Sequence, residues 1–184
     1  MGFVDILRVH KGAGLPCEFV RLPLLRPPNM DAINNPNHLW TVWEEWKAPA
    51  IDGMQVCVRG PVKLQDGSVS CFFTDGISVP QLAWSIFNLY PFSMPELCAA
   101  LGHDIVYSAE LVDRKTCDEW MFEWGKMAGV SSYRRHVIYK VLRMFGWFVW
   151  KQHTPQSVAM AKTMCQLVVA GADPVWEPIS NEEV

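Results

Sequence analysis

The hydrophobic pattern changes character once along the chain, near Ser78, and that change limits the folds open to it. Before Ser78 the apolar residues come in short β-type runs. Residues 54–58 and 61–64 are two of them, and 69–73 resumes the pattern after Asp66-Gly67, a dipeptide suited to a hairpin turn. After Ser78 the sequence carries one helix-start signal after another. Ser78 precedes Val79-Pro80. Ser93-Met94-Pro95-Glu96 is a capping box with proline in the first turn, opening a helix to about Ala109. Asp113 caps a helix from Arg114 to about Ala128, ended by Gly129. Ser131 or Ser132 caps another, through about Phe148. Thr154-Pro155 starts the last, which the pattern carries to about Gly171. Strands first and helices second is the α+β order. The expectation is a small antiparallel sheet from the first half packed against four to five helices from the second.

A chain of 184 residues fits one ordinary domain with an irregular arm. Pro23, Pro27, Pro28, Pro36 and Pro49 exclude long helices from the first third. There, 17–25 fits a strand, and 39–46 fits a strand or a short amphipathic turn. The expected division is a proline-rich arm at 1–53, a core at 54–150, and a last helix with a tail at 151–184.

Half the residues are apolar, enough for a core. Nine Trp and nine Phe are many for this length: some are expected to pack inside and others to mark a contact surface, since aromatic residues concentrate at interfaces. A formal net charge of −3 with no basic stripe argues against nucleic-acid binding. The six cysteines are scattered, without a C-x-x-C pair, and read as buried reduced thiols. The most apolar stretch, 141–150, contains Arg143 and is too short to span a bilayer. Residues 1–9 lack the apolar stretch of a signal peptide, so the expected site of synthesis is the cytoplasm.

Unusual polar residues gather in two short segments. The first runs Thr74-Asp75-Gly76-Ile77-Ser78-Val79-Pro80, where strands give way to helices. A carboxylate and a hydroxyl three residues apart, with Gly76 between them, suit a metal or substrate site. They equally suit a turn whose side chains cap the next helix. The second is Gly102-His103-Asp104-Ile105-Val106-Tyr107, inside an apolar predicted helix. His103 and Tyr107 are one turn apart on one face, with Asp104 at its edge. Such polar groups are costly to bury unless each finds a partner. The partner can be a metal, a water or the loop carrying Asp75. Downstream, Arg114 and Asp118 have the i,i+4 spacing of a helical ion pair, and Asp118 can instead turn toward His103. The candidate catalytic set is Asp75, Ser78, His103, Asp104 and Tyr107. The candidate ligands for a divalent metal are Asp75, His103, Asp104 and Asp118. Ser78 lies in no nucleophile elbow, and the chain has no phosphate loop and no dinucleotide fingerprint.

In order along the chain, Thr74-Asp75-x-x-Ser78-Val79-Pro80, then His103-Asp104-x-x-Tyr107, then Arg114 with Asp118, then Phe145-Gly146-Trp147, resemble the phage and prophage family called domain of unknown function 1353. The resemblance covers about residues 54–150. It implies a phage origin, with genes among tail or lysis functions, and no particular reaction.

Three functions are compatible with these features. One is a virion-associated, tail or neck structural protein that binds other phage proteins or itself, made in the host cytoplasm and carried into the virion. The second is a metal-dependent hydrolase acting in lysis or cell-wall entry. The third is a small cytoplasmic effector that binds a host protein through an acidic, Trp-rich surface.

Overall fold

A computed structural model describes residues 25–26, 40–63, 69–74 and 94–179. The strands are β1 (Leu25–Arg26), β2 (Trp40–Val42), β3 (Trp46–Lys47), β4 (Met54–Val58), β5 (Val62–Lys63), β6 (Val69–Ser70), β7 (Phe73–Thr74) and β8 (Cys165–Val169). The described helices are α1 (Met94–Ser108), α2 (Arg114–Met127), α3 (Ser132–Trp150) and α4 (Pro155–Met164). The protein is therefore α+β, with small antiparallel sheets in the first half and four described helices in the second.

Among the described residues three small antiparallel sheets form, ordered β1-β2-β7, β3-β4-β8 and β5-β6. In the second, Trp46 pairs with Val58 and Lys47 with Cys57. The hairpin between these strands turns at Asp52-Gly53, both with positive φ, while Ile51 and Met54 exchange two backbone hydrogen bonds of 2.9 Å. An Asp-Gly pair suits this two-residue turn because both central positions need φ above zero. The other Asp-Gly pair, at 66–67, lies outside the described residues, although its flanking strands do pair, with Val62 opposite Ser70. Residues 40–53 thus build sheet and core: Val42, Trp46, Ala48 and Ile51 are all buried.

The caps of α2, α3 and α4 match the sequence signals. Asp113 accepts from the amides of Lys115 and Thr116 at 2.9 and 3.2 Å. Ser131 caps α3. Thr154 and Ser157 form a reciprocal capping box. The helix expected to run to Gly171 ends at Met164 instead. From Cys165 the chain becomes β8, pairing along its whole length with β4, from Val58–Cys165 to Met54–Val169. Leu167, Val168 and Val169 suit a pleated surface, and the open edge of β4 gives their backbone a ladder that a longer helix would leave unused.

Helix α1 lies at the centre. Leu97, Cys98, Ala99, Ala100, Leu101, Ile105 and Val106 are all buried, so it is enclosed on nearly every side. It packs closely on α2 at Gly102, where a Cβ would lie 2.8 Å from the Trp124 ring. The Trp124 indole is itself held by a 2.8 Å hydrogen bond to the Pro49 carbonyl. Cys57, Cys98, Cys117 and Cys165 are buried free thiols and Cys71 is half-buried.

Candidate functional site: a buried charge cluster around His103

Because α1 is enclosed, its polar residues must find partners inside the protein. His103 is 6% exposed. Its Nε2 lies 3.2 Å from Oδ1 of Asp118 on α2. Its Nδ1 lies 3.8 Å from Oδ1 of Asp104, too far for a hydrogen bond but close for an ion pair. Asp104 also accepts a short hydrogen bond from the Thr74 hydroxyl at the end of β7. The cluster therefore ties a strand to the helices.

Asp118 is the hub and is fully buried. One carboxylate oxygen faces His103. The other, Oδ2, receives Nη1 of Arg114 at 3.3 Å and Nη1 of Arg143 at 2.9 Å. One carboxylate thus joins α1, α2 and α3. Asp118 falls on the face of α2 that also buries Cys117, Met121, Trp124 and Gly125, so its charge enters the core with the apolar residues around it. Such burial is tolerable when the charge is surrounded by donors, as it is here.

Burial lowers the basicity of His103, but Asp104 and Asp118 outweigh it, so the pKa is raised above its ordinary value. Carboxylates at both ring nitrogens favour the imidazolium, the form in which both nitrogens are donors. Tyr107, one turn further on, lies 5.0 Å ring to ring from His103 and donates its hydroxyl to the Gly146 carbonyl of α3. Burial, aided by the Asp118 charge, pushes its phenol up to about 12. Trp150 and His153 meet its ring edge-on at 4.8 and 5.4 Å. His153 Nδ1 in turn lies 2.9 Å from Glu110 Oε1.

Of the expected site residues, His103, Asp104, Tyr107 and Asp118 come together around one another. Asp75 and Ser78 lie outside the described residues, as does the helix expected after Ser78. Arg114 pairs with Asp118 as the spacing predicts, and Asp118 also turns inward to His103, so one carboxylate serves both expected uses. Among the described residues no group of three or more His, Cys, Asp or Glu side chains is arranged to hold a metal ion. The arrangement instead brings together alternating charges: Asp104, His103, Asp118, then two arginines.

Two members were not visible in the motifs. Arg143 signalled itself only as the lone cation in the apolar stretch 141–150. The Gly146 acceptor is a backbone carbonyl, which leaves no mark in side-chain chemistry. Gly146 itself fits because α3 passes close by: a Cβ there would lie 3.4 Å from the Tyr107 hydroxyl and 3.5 Å from Arg114 Nη1. Among the described residues no helix is long and apolar enough to cross a membrane.

No curated protein matches the chain, and no solved structure does. A family model does match, over residues 61–142, a span that contains His103, Asp104, Tyr107, Arg114 and Asp118. That segment is similar to the family described as Protein of unknown function (DUF1353).

Proposed function

We propose that the protein is a structural interaction module of a phage particle, carried in its tail or neck, and that its surface for other phage proteins or for copies of itself is the aromatic end of α3. The observation that carries this reading is the state of that end. Ile138, Val141 and Leu142 bury the first part of the helix face. After Arg143 the helix carries no further charge, and most of its apolar side chains are open to solvent: Met144 is 59% exposed and Phe148 53%, with Phe145, Trp147 and Val149 also exposed. Trp147 and Phe148 stack at 3.7 Å, forming a preassembled aromatic platform. A helix apolar all round belongs in an interior, and contiguous apolar surface of this kind marks an interaction site. Aromatic anchors of this type dominate interface energies.

The buried cluster supports the same reading. His103 and Asp118 have the residue types of an acid–base pair, but both are closed off from solvent, and Asp118 is held by two arginines. Such a cluster fixes three helices and a strand relative to one another, as a rigid scaffold requires. The phage context rests on the family resemblance.

The test is incorporation into particles. Mass spectrometry of purified virions should find the protein in defined copy number. Phe148→Glu should lower that copy number about tenfold or more, the effect of placing a charge at an apolar anchor, while circular dichroism of the purified variant stays unchanged. Absence of the wild-type protein from particles, or full incorporation of the variant, refutes the proposal.

A further inference from the structure

The rim of the buried cluster has an asymmetry that clamping three helices does not require. Arg114 and Arg143 converge on a single oxygen of Asp118, at 3.3 and 2.9 Å, so one nitrogen of each guanidinium meets at that oxygen. Asp118 is sealed, whereas the two arginine side chains are 22% and 32% exposed. A guanidinium carries five N–H donors in a planar fork. Each of these two has only Asp118 as a hydrogen-bond acceptor among the described residues, leaving most of its donors directed elsewhere.

The other described arginine side chains differ. Arg59 donates to the carbonyls of Thr163 and Glu177 and lies over the Trp176 ring. Arg134 pairs with Glu96. Arg135 donates to the Val130 carbonyl and covers Phe122. Arg114 and Arg143 alone among these share one acceptor.

Charge points the same way. Two guanidinium groups face one carboxylate, and that carboxylate also faces His103, whose protonated form the site favours. Arg114 is moreover the first residue of α2, where the helix end adds partial positive charge.

We propose that Arg114 and Arg143 form an anion site that takes a tetrahedral oxyanion, a phosphate or sulfate group, on the side away from Asp118. Two adjacent forks present more donors than a carboxylate can accept, and they match the several oxygens of a phosphoryl group. Asp118 presets both guanidinium groups, so little side-chain freedom is lost on binding. The site adjoins the aromatic end of α3, since Arg143 directly precedes Met144, but the anion proposal does not rest on the interaction reading.

The experiment is calorimetric titration of the full chain with inorganic phosphate, at ionic strength held constant with sodium chloride. Sulfate and acetate form parallel arms. Saturable binding of phosphate and sulfate is expected, with acetate about tenfold weaker or more because it can engage only one fork. Arg143→Lys and Arg114→Lys keep a cation beside Asp118 but remove the fork. Each should weaken phosphate binding about tenfold, with circular dichroism confirming the fold. Phosphate that binds no better than chloride overturns the proposal. So does acetate equal to phosphate, or two folded lysine variants that both bind as the wild type does. Phosphate and a phosphate monoester such as phenyl phosphate distinguish the source: equal affinity identifies free phosphate as sufficient, and tighter monoester binding identifies a phosphorylated ligand.

Discussion

At the scale of single residues, the fold concentrates its polar risk in Asp118. Its buried carboxylate has three nearby partners: His103 and the inner donors of two arginines. Asp118→Asn keeps the shape but removes the charge, leaving those cations opposed by a neutral amide. Loss of one partner from a buried ionic set costs about 3–5 kcal/mol. Urea unfolding of the variant should show a loss of that order. His103 makes the cluster pH-dependent. Its folded pKa lies above its unfolded value of about 6.5, so its contribution is complete below that pH and declines as pH rises through the folded value. The wild type should therefore lose urea resistance between mildly acidic and alkaline pH by more than His103→Gln does, and parallel pH profiles would contradict this. Much of this cluster was legible in the sequence. His103, Asp104 and Tyr107 share a helix, and Arg114 and Asp118 share another, so spacing alone grouped them. Arg143 was not legible, because its partner is 25 residues away on a different helix and only packing brings them together.

At the scale of elements, local signals and tertiary context divided the work. Asp113, Ser131 and Thr154 announced three helix starts because a cap is satisfied within its own turn. β8 was hidden because residues 165–169 are apolar enough to continue a helix, and what makes them a strand is the edge of β4, more than a hundred residues earlier. The hairpin at Asp52-Gly53 was overlooked for a related reason: β3 is only two residues long, and Pro49 between it and the turn disguised the turn as part of the arm. Close packing of α1 on α2 supplies a sharper test. At Gly102 an added methyl would sit 2.8 Å from a Trp124 ring that is buried and hydrogen-bonded in place. Gly102→Ala should gain slightly in helix propensity and lose more to overpacking, a net destabilisation of about 1–3 kcal/mol in chemical denaturation. A stabilised variant would mean that α1 and α2 can separate at little cost.

At the scale of the whole molecule, a closed polar cluster and an open aromatic helix end make a coherent division of labour. The cluster fixes the helices, and in the last two turns of α3 Met144, Phe145, Trp147, Phe148 and Val149 are exposed while Gly146 and Trp150 contact Tyr107. The many Trp and Phe in the composition did not say which would be exposed, since helical spacing cannot tell a buried stripe from an open one. The most direct test is site-specific photocrosslinking in infected cells, with a benzoylphenylalanine placed at Phe148 and, as a control, at exposed Lys140 on the same helix. The interaction account predicts one defined adduct from position 148, to a particle protein or to a second copy of this chain, and little from position 140. No adduct at 148, or equal and diffuse labelling from both positions, would contradict it.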